Sequence, residues 1–398
     1  MTTIFDGDRR HFLTLAGATA AAGFIPTRFA IAGNAPVKIG ILLPYSGTYA
    51  MLGESITNAF KMRIDEAGGK LGGRSVEYVA IDSEMSVPKA GQNVNKLISK
   101  QKADFILGPV HSGIAAVMAK IIGKKGSPIM IDPNAGSNAV TGALCAPNIF
   151  RTSFSNWQTA VMAGPAMYDA GHRTIITISW KYGAGIQMMQ AGRESFEKAG
   201  GKSVKDILNP FPSVEFQAHL STIADMKPDA VFAFFSGGGA IKFLKDYEAA
   251  GLKAKIPLYG TGFLTEGVEK PAGSAAEGVQ TTLHYVRDLP NETNKRFIAN
   301  YEKQFGAGKS NVFAVQGYDA ASLLLQGMAA VDGDVGAQGK IISAMGSAVI
   351  DSPRGKFTFS KSHNPVQNIY LREVRNGKQV TLKTLAKGLE DPAVGCKA

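Results

Sequence analysis

The sequence predicts an α/β protein built from doubly wound parallel sheets, and three observations support this fold class. Short apolar runs such as Val37–Leu43 are rich in β-branched residues and too dense for half-exposed strands, so they indicate parallel strands buried on both faces. A turn rich in Gly, Ser and Thr follows the run, and apolar residues at helical spacing follow the turn. This unit recurs about every 30 residues, the length that a strand-helix-strand crossover needs.

The first of these units sets the pattern for the rest of the chain. Its strand stops at Pro44, its turn covers residues 45–53, and its helix ends at Gly68 and Gly69. In an open α/β sheet, ligands bind where the carboxyl ends of the strands meet the amino ends of the helices. The turn residues expected to face a ligand are Ser46, Thr48 and Tyr49.

Later units repeat the arrangement, and right-handed crossovers then require parallel sheets. Further strands are predicted at residues 75–84, 103–107, 174–179, 231–235 and 257–260, and helices at 88–101, 114–122 and 240–250. Near the C-terminus, residues 355–378 alternate apolar and polar positions around Asn376-Gly377, which predicts a hairpin.

The N-terminus has the composition of an export signal. Arg9 and Arg10 precede an apolar run at residues 15–25, and small residues at 30–32 offer a cleavage site, so residues 1–32 are predicted to be a twin-arginine signal. Asp8 and Thr14 depart from the usual twin-arginine pattern, which leaves the general secretory route open. We therefore predict a periplasmic protein; a disordered cytosolic leader is the alternative.

The chain is basic, with 43 Lys and Arg residues against 32 Asp and Glu residues. Removal of residues 1–32 takes away three arginines and two aspartates, which leaves 40 against 30 and a formal charge of +10. No Lys/Arg run and no basic stripe with interleaved aromatic residues is present, so we do not expect nucleic-acid binding.

The two cysteines, Cys145 and Cys396, can form a disulfide in an oxidising compartment and so tie the C-terminal tail to the body of the protein. The sequence leaves this pairing open because it does not give the distance between them. No C-x-x-C motif occurs, and we expect no metal site.

Six segments, taken in order, resemble the periplasmic binding proteins of ABC transporters, of the branched-chain-amino-acid-binding type. They are KIGILLPYSGTYAMLG, GPVHSG, SPIMIDPNAGSN, KYGAG, PDAVFAFFSGGG and AVQGYDAASLL. The resemblance implies the type I periplasmic binding protein fold, in which two doubly wound parallel-sheet lobes are joined by a three-crossing hinge. Lobe one would be residues 33–151 plus 284–351, and lobe two residues 152–283 plus 352–398. It also implies a monomer that delivers a small carboxylate to a membrane permease.

The resemblance places carboxylate-binding groups on two loops of lobe one. Ser112 stands in a turn before a helix, where its hydroxyl and the amides of Ser112 and Gly113 can take an anionic oxygen. A plain helix N-cap is the alternative for Ser112. Asn134, Ala135 and Gly136 match the second loop, although the family often has Thr where Gly136 stands, so one hydroxyl is missing.

Other predicted site residues are mainly aromatic. Tyr49 and Tyr182 match family positions that line the cleft from opposite lobes, with burial in the core as the alternative for each. Phe235 and Ser236 match a turn where the family has an aromatic ligand contact. His111 either donates to a ligand oxygen or is satisfied within its own turn.

The ligand class follows from a missing acidic residue. Amino-acid binders of this type hold the ligand ammonium with a carboxylate at a position that matches Gly262 here, and Glu266 lies a few residues further on. An uncompensated ammonium in a closed cleft is unfavourable, which disfavours an amino acid. Phe263 and Trp157 favour a flat apolar pocket, and His284 can reach a ring hydroxyl. We predict an aromatic carboxylate of the benzoate, hydroxybenzoate or cinnamate kind; if Glu266 turns inward, branched-chain or other amino acids and amides fit instead.

The predicted mechanism is closure of the two lobes around the ligand, after which a permease recognises the closed form. An enzyme of the doubly wound class is a competing interpretation, but the first strand is not followed by Gly-x-Gly-x-x-Gly, and no G-x-S-x-G, H-E-x-x-H or Walker motif occurs. A ligand sensor of the same fold is a third interpretation. We expect neither catalysis nor a cofactor.

Overall fold

In a computed structural model of the protein, residues 35–124 and 126–397 are described. The predicted export signal at residues 1–32 lies outside the described residues. The described chain folds around two sheets.

The first sheet has six strands. They are β1 (Val37–Leu43), β2 (Lys70–Leu71), β3 (Arg74–Asp82), β4 (Phe105–Leu107), β5 (Ile129–Asp132) and β6 (Ile149–Arg151). Their order is β2-β3-β1-β4-β5-β6, and only the short β2 is antiparallel to its neighbour.

The second sheet has eight strands. They are β7 (Thr174–Lys181), β8 (Lys202–Pro210), β9 (Ala230–Phe234), β10 (Leu258–Thr261), β11 (Gln280–Leu283), β12 (Thr358–Phe359), β13 (Pro365–Arg375) and β14 (Lys378–Leu389). Their order is β12-β13-β11-β10-β9-β7-β8, with β14 paired to β13. β13 and β14 form an antiparallel hairpin across Asn376 and Gly377, which confirms the predicted hairpin.

Helices cover both sheets. They are α1 (Ala50–Glu66), α2 (Val87–Asn95), α3 (Ser112–Ile122), α4 (Asn156–Ala160), α5 (Ala163–Asp169), α6 (Gly183–Lys198), α7 (Gln217–Met226), α8 (Gly237–Ala249), α9 (Glu269–Ala272), α10 (Glu292–Phe305), α11 (Val312–Ala329) and α12 (Gln338–Gly346). Late in the chain, α11 packs along α1 and so returns to the first sheet. Within the part of the chain described, no helix has both the length and the apolar character needed to cross a membrane.

The central strands are buried as the sequence pattern predicts. In β1, Val37, Ile39, Ile41, Leu42 and Leu43 are fully buried. Parallel strands covered by helices on both faces read as continuous apolar runs, so the prediction of doubly wound parallel sheets is confirmed for these strands. The antiparallel pair β13 and β14 extends the second sheet beyond its parallel part.

Three connections join the halves of the molecule: the chain leaves the first sheet after β6, returns after β11, and passes to the second sheet again before β12. Arg354 ties two of these connections together, because its guanidinium donates to the carbonyls of Thr152 at 2.7 Å and Ser153 at 3.0 Å. Its Nε lies 3.1 Å from the Asp319 carboxylate in α11. The exact division into lobes at residues 151/152, 283/284 and 351/352 stays a proposal.

The structure pairs Cys145 with Cys396 in a disulfide, with 5.5 Å between their Cα atoms. Cys145 follows β5 of the first sheet, and Cys396 lies in the tail after β14 of the second. The bond therefore fastens the tail beside the first sheet.

Candidate functional site

A cavity with about 300 Å³ of space lies among loops that follow the carboxyl ends of strands from both sheets. Its lining residues are Tyr49, Leu52, Val110, Ser112, Asn134, Gly136, Phe154, Asn156, Tyr182, Ala184, Met188, Phe234, Ser236, Phe263 and Phe313. None of these described lining residues is Asp, Glu, Lys, Arg or His.

Half of the fourteen sequence-predicted ligand residues meet at this cavity. They are Tyr49, Ser112, Asn134, Gly136, Tyr182, Ser236 and Phe263. All seven lie in a turn, or in the first turn of a helix, directly after a strand. That they contact a ligand stays a prediction.

Ser112 is the first residue of α3, and the N-cap of this helix is His111. The Nδ1 atom of His111 accepts the Gly113 N–H at 3.1 Å, so the alternative role of Ser112 as the cap is excluded. The same bond occupies Gly113 N–H, the amide predicted to take an anionic oxygen. The Ser112 hydroxyl is left at the positive end of an eleven-residue helix.

Asn156 lines the cavity and is not among the residues predicted from the sequence. It is the first residue of α4, directly before Trp157, and is fully buried. Its Nδ2 lies 3.3 Å from Ser112 Oγ and 2.7 Å from Gln187 Oε1. The signal available in the sequence was the polar loop between β6 and α4, but nothing there distinguishes Asn156 from its neighbours.

Gly136 touches the same amide. A Cβ atom at residue 136 would lie 2.2 Å from Asn156 Oδ1 and 2.4 Å from a ring carbon of Phe154. A threonine side chain therefore has no room here. The Asn156 carboxamide instead supplies polar atoms beside Gly136, the position at which the family often has the hydroxyl of a threonine.

Phenylalanine rings form the apolar wall. Phe263 is central to it, with ring centroids 4.8 Å from Phe154, 6.2 Å from Phe234 and 6.1 Å from Phe313. The three pairs are tilted, edge-to-face and stacked, and a wall of such rings suits a further aromatic ring. Phe154 and Phe313 come from the first connection and from α11, and neither was predicted.

Two tyrosines close one side of the cavity. Tyr49 follows β1 and Tyr182 follows β7, and their hydroxyl oxygens are 2.9 Å apart. Burial raises the pKa of both phenols, so both stay neutral and one donates to the other. This hydrogen bond joins the half of the molecule built on the first sheet to the half built on the second.

Phe235 is not at the cavity. Its ring packs in the core beside α8, with centroids 5.1 Å from Trp180 and 4.9 Å from Phe216. Successive residues of an extended segment point to opposite sides, so Phe234 takes the lining position. Trp157 is displaced in a similar way: the preceding Asn156 lines the cavity, and the backbone N–H of Trp157 donates to Asn138 Oδ1 at 3.1 Å.

The two predicted histidines lie behind the lining. His111 stacks on Tyr182 at 4.7 Å between centroids, and burial lowers the pKa of its imidazole to about 4. His284 is 1% exposed, lies behind the Phe154 ring, and has Nε2 3.2 Å from Gln316 Nε2. Burial, with Arg354 and Arg372 nearby, lowers the pKa of His284 well below its usual value. Both imidazoles are therefore neutral near pH 7.

The remaining predicted residues hold the loops in place. Ala135 N–H donates to Asp132 Oδ1 at 2.8 Å, and the Gly262 carbonyl accepts from Arg372 Nη2 at 2.8 Å. Neither residue lines the cavity.

Glu266 is committed to other partners. Its Oε2 lies 2.6 Å from Arg372 Nη1, and its Oε1 accepts the Val312 N–H at 2.6 Å, at the start of α11. It does not line the cavity. A carboxylate held by a buried arginine and a helix N-terminus is not available to turn inward toward a ligand ammonium.

Comparisons with known proteins agree with this architecture. The family model described as periplasmic binding protein matches residues 36–379. A "Leu/Ile/Val-binding protein homolog 6" of Brucella melitensis is 30% identical over 344 residues, which cover 85% of this chain and 87% of that protein.

Two solved structures are similar over nearly their whole length. A solute-binding protein of an ABC transporter from R. palustris, in complex with benzoate, is 50% identical with a TM-score of 0.89, covering 92% of this chain and all of that one. A second, from Rhodopseudomonas palustris HaA2 in complex with p-hydroxybenzoic acid, is 28% identical with a TM-score of 0.84, covering 90% of this chain and 99% of that one. The chain therefore belongs to the periplasmic binding protein family and has its type I fold, which confirms the resemblance found in the sequence.

Proposed function

We propose that the protein is the extracytoplasmic solute-binding component of an ABC uptake transporter and that its ligand is a small aromatic carboxylate. The observation that carries this proposal is the composition of the cavity. One end has the Ser112 hydroxyl at the start of α3, and the wall is made of phenylalanine rings. A carboxylate suits the first and a benzene ring suits the second. The 50% identical protein from R. palustris supports it, because its structure contains benzoate.

An amino-acid ligand is the second candidate, because one relative is named a Leu/Ile/Val-binding protein homolog. The described lining contains no carboxylate that could pair with an α-ammonium. Glu266, the acidic residue that follows Gly262 most closely along the chain, is bound to Arg372 and to Val312 N–H. Burial of an unpaired ammonium is costly, so the cavity favours a ligand without one.

Ligand capture proceeds by closure. A ligand that contacts Ser112 on one side and Phe234 and Phe263 on the other binds the closed arrangement better than an open one, and so shifts the population toward closure. The Tyr49–Tyr182 hydrogen bond forms only when the two halves approach. A membrane permease then recognises the closed form of the monomer, and residues 1–32 direct export.

A thermal-shift panel tests the ligand class. Purified protein is compared with benzoate, hydroxybenzoates and cinnamate on one side and with leucine and valine on the other. A ligand present at one hundred times its dissociation constant stabilises the native state by about 2.7 kcal/mol, so true ligands raise the melting temperature clearly. A rise with leucine or valine, and none with the aromatic acids, would overturn the proposal.

A further inference from the structure

A chain of hydrogen bonds fixes the orientation of the Asn156 amide. The Asn138 backbone N–H, which can only donate, points to Gln187 Oε1 at 3.1 Å. That oxygen also accepts from Asn156 Nδ2 at 2.7 Å. Because the backbone donor requires an oxygen at this position of Gln187, Asn156 must present its nitrogen there. Its carbonyl oxygen therefore points the other way.

The other end of the amide is next to Gly136, a lining residue. Asn156 Oδ1 is buried, has no hydrogen-bond partner among the described residues, and lies against Gly136. Both Asn156 and Gly136 line the cavity. A carbonyl oxygen can only accept a hydrogen bond, and a buried one without a partner is unfavourable by about 1–3 kcal/mol. Two lining residues thus hold between them a buried acceptor that lacks a donor.

The neighbouring Ser112 has the complementary role. Its Oγ accepts from Asn156 Nδ2 at 3.3 Å, so the hydroxyl hydrogen is available to donate into the cavity. One donor and one acceptor thus stand side by side. A primary carboxamide has the matching pair, since its C=O accepts and its N–H donates. A carboxylate satisfies Ser112 but brings its second oxygen toward Asn156 Oδ1.

The electrostatic surroundings do not oppose a neutral group. None of the described lining residues is charged. A neutral ligand therefore leaves no lysine or arginine cation unpaired among these lining residues. The positive end of α3 favours a carboxylate, but only by an amount of order 1 kcal/mol.

We propose that this pocket also binds aromatic primary carboxamides, with Asn156 Oδ1 accepting the amide N–H and Ser112 donating to the amide carbonyl. This rests on the proposed function, since it concerns a second ligand class of the same pocket. Gln187 is a positioning residue, because it acts on the ligand only by orienting Asn156.

Two substitutions at Gln187 test the orientation of the Asn156 amide while Asn156 itself stays in place. Gln187→Met removes the acceptor and lets the Asn156 amide turn, so that Nδ2 faces the cavity. Gln187→Glu keeps an acceptor at the same place and serves as the matched control. Isothermal titration with benzamide and with benzoate is carried out on the wild type and on both variants, whose melting temperatures without ligand report folding.

We expect the wild type to bind both compounds. Gln187→Met should raise the dissociation constant for benzamide at least fivefold while that for benzoate stays the same or falls, and Gln187→Glu should leave benzamide within about twofold. Benzoate binding without benzamide binding overturns this inference and leaves the proposed function standing. Equal weakening of both compounds by Gln187→Met also overturns it. If neither compound nor any other aromatic acid binds, the proposed function itself is wrong.

Discussion

At the scale of single residues, Ser112 and His111 share one helix terminus but have different tasks. His111 accepts the Gly113 N–H and caps α3, while the Ser112 hydroxyl lines the cavity. The sequence leaves His111 open between a ligand contact and a partner within its own turn, and the structure shows the partner. A ligand contact of Ser112 stays a prediction.

Replacement of Ser112 tests its contact with a ligand oxygen. Ser112→Ala should weaken benzoate binding by about 1–3 kcal/mol, because a hydrogen bond to a charged group is lost in a buried site. Titration calorimetry gives the measurement. Ser86→Ala is the matched control, since Ser86 stands at the start of α2 and its side chain makes no capping bond. Equal affinities of the Ser112 variant and the wild type would remove Ser112 from the site.

The neutral imidazole of His111 makes stability depend on pH. Its pKa in the folded protein, about 4, lies below the usual 6.5. The stability that this neutral, buried group provides is therefore present above pH 6.5 and is lost as the pH falls toward 4. Between pH 6.5 and 5 the loss is about 2 kcal/mol.

His111→Asn keeps a capping acceptor but removes the titration. Unfolding by urea at pH 7 and at pH 5 should show a loss of stability on acidification that is smaller by about 2 kcal/mol in the variant. Other buried histidines, His284 among them, contribute equally to both proteins and cancel in the comparison. The same loss in variant and wild type would show that His111 does not couple folding to pH.

At the scale of elements, the turn after β1 and the N-terminus of α6 meet through one hydrogen bond. Tyr182 is the N-cap of α6 and Tyr49 ends the turn before α1, so each hydroxyl is placed by a different sheet. In the proposed closure mechanism, this contact belongs to the closed arrangement, and its strength contributes to the balance between open and closed forms.

Tyr182→Phe removes the hydroxyl and keeps the ring that stacks on His111. We expect ligand affinity to fall by about 0.5–1.5 kcal/mol, the usual net contribution of one hydrogen bond. Tyr45→Phe is the control, because the Tyr45 hydroxyl bonds to Thr57 in α1 and joins nothing across the cavity. An effect of the same size in both variants would argue against a role in closure.

At the scale of the whole molecule, long-range bonds hold the C-terminal tail and the connections between the halves. The disulfide between Cys145 and Cys396 spans 251 residues and attaches the tail after β14 beside the first sheet. The Arg354 and Arg372 guanidinium groups are buried at the connections between the halves, where they bind carbonyls and carboxylates.

Reduction of the disulfide should lower the free energy of unfolding by about 2–4 kcal/mol, because the cross-link restricts the unfolded chain. Thermal unfolding with and without a reducing agent measures this, and the Cys145→Ser, Cys396→Ser double variant repeats it without the reagent. Benzoate affinity should stay within twofold, since neither cysteine lines the cavity. Identical melting temperatures would contradict a stabilising bond.

The sequence by itself determined the fold class, because burial on both faces makes strands such as β1 continuous apolar runs and because glycine-rich turns separate them from helices. It also placed Ser112, Asn134, Tyr49 and Tyr182 at the loop ends that meet at the cavity. These features depend on local pattern and order along the chain.

Only the tertiary structure decided which neighbouring side chain faces the cavity. Phe234 and Asn156 line it while Phe235 and Trp157 do not, because successive side chains point to opposite faces of an extended segment and lie about 100° apart around a helix. The commitment of Glu266 to Arg372, 106 residues away, was equally beyond a local pattern. An ion pair between residues so far apart in sequence forms only when the sheet brings them together. This pair holds the Glu266 carboxylate away from the cavity.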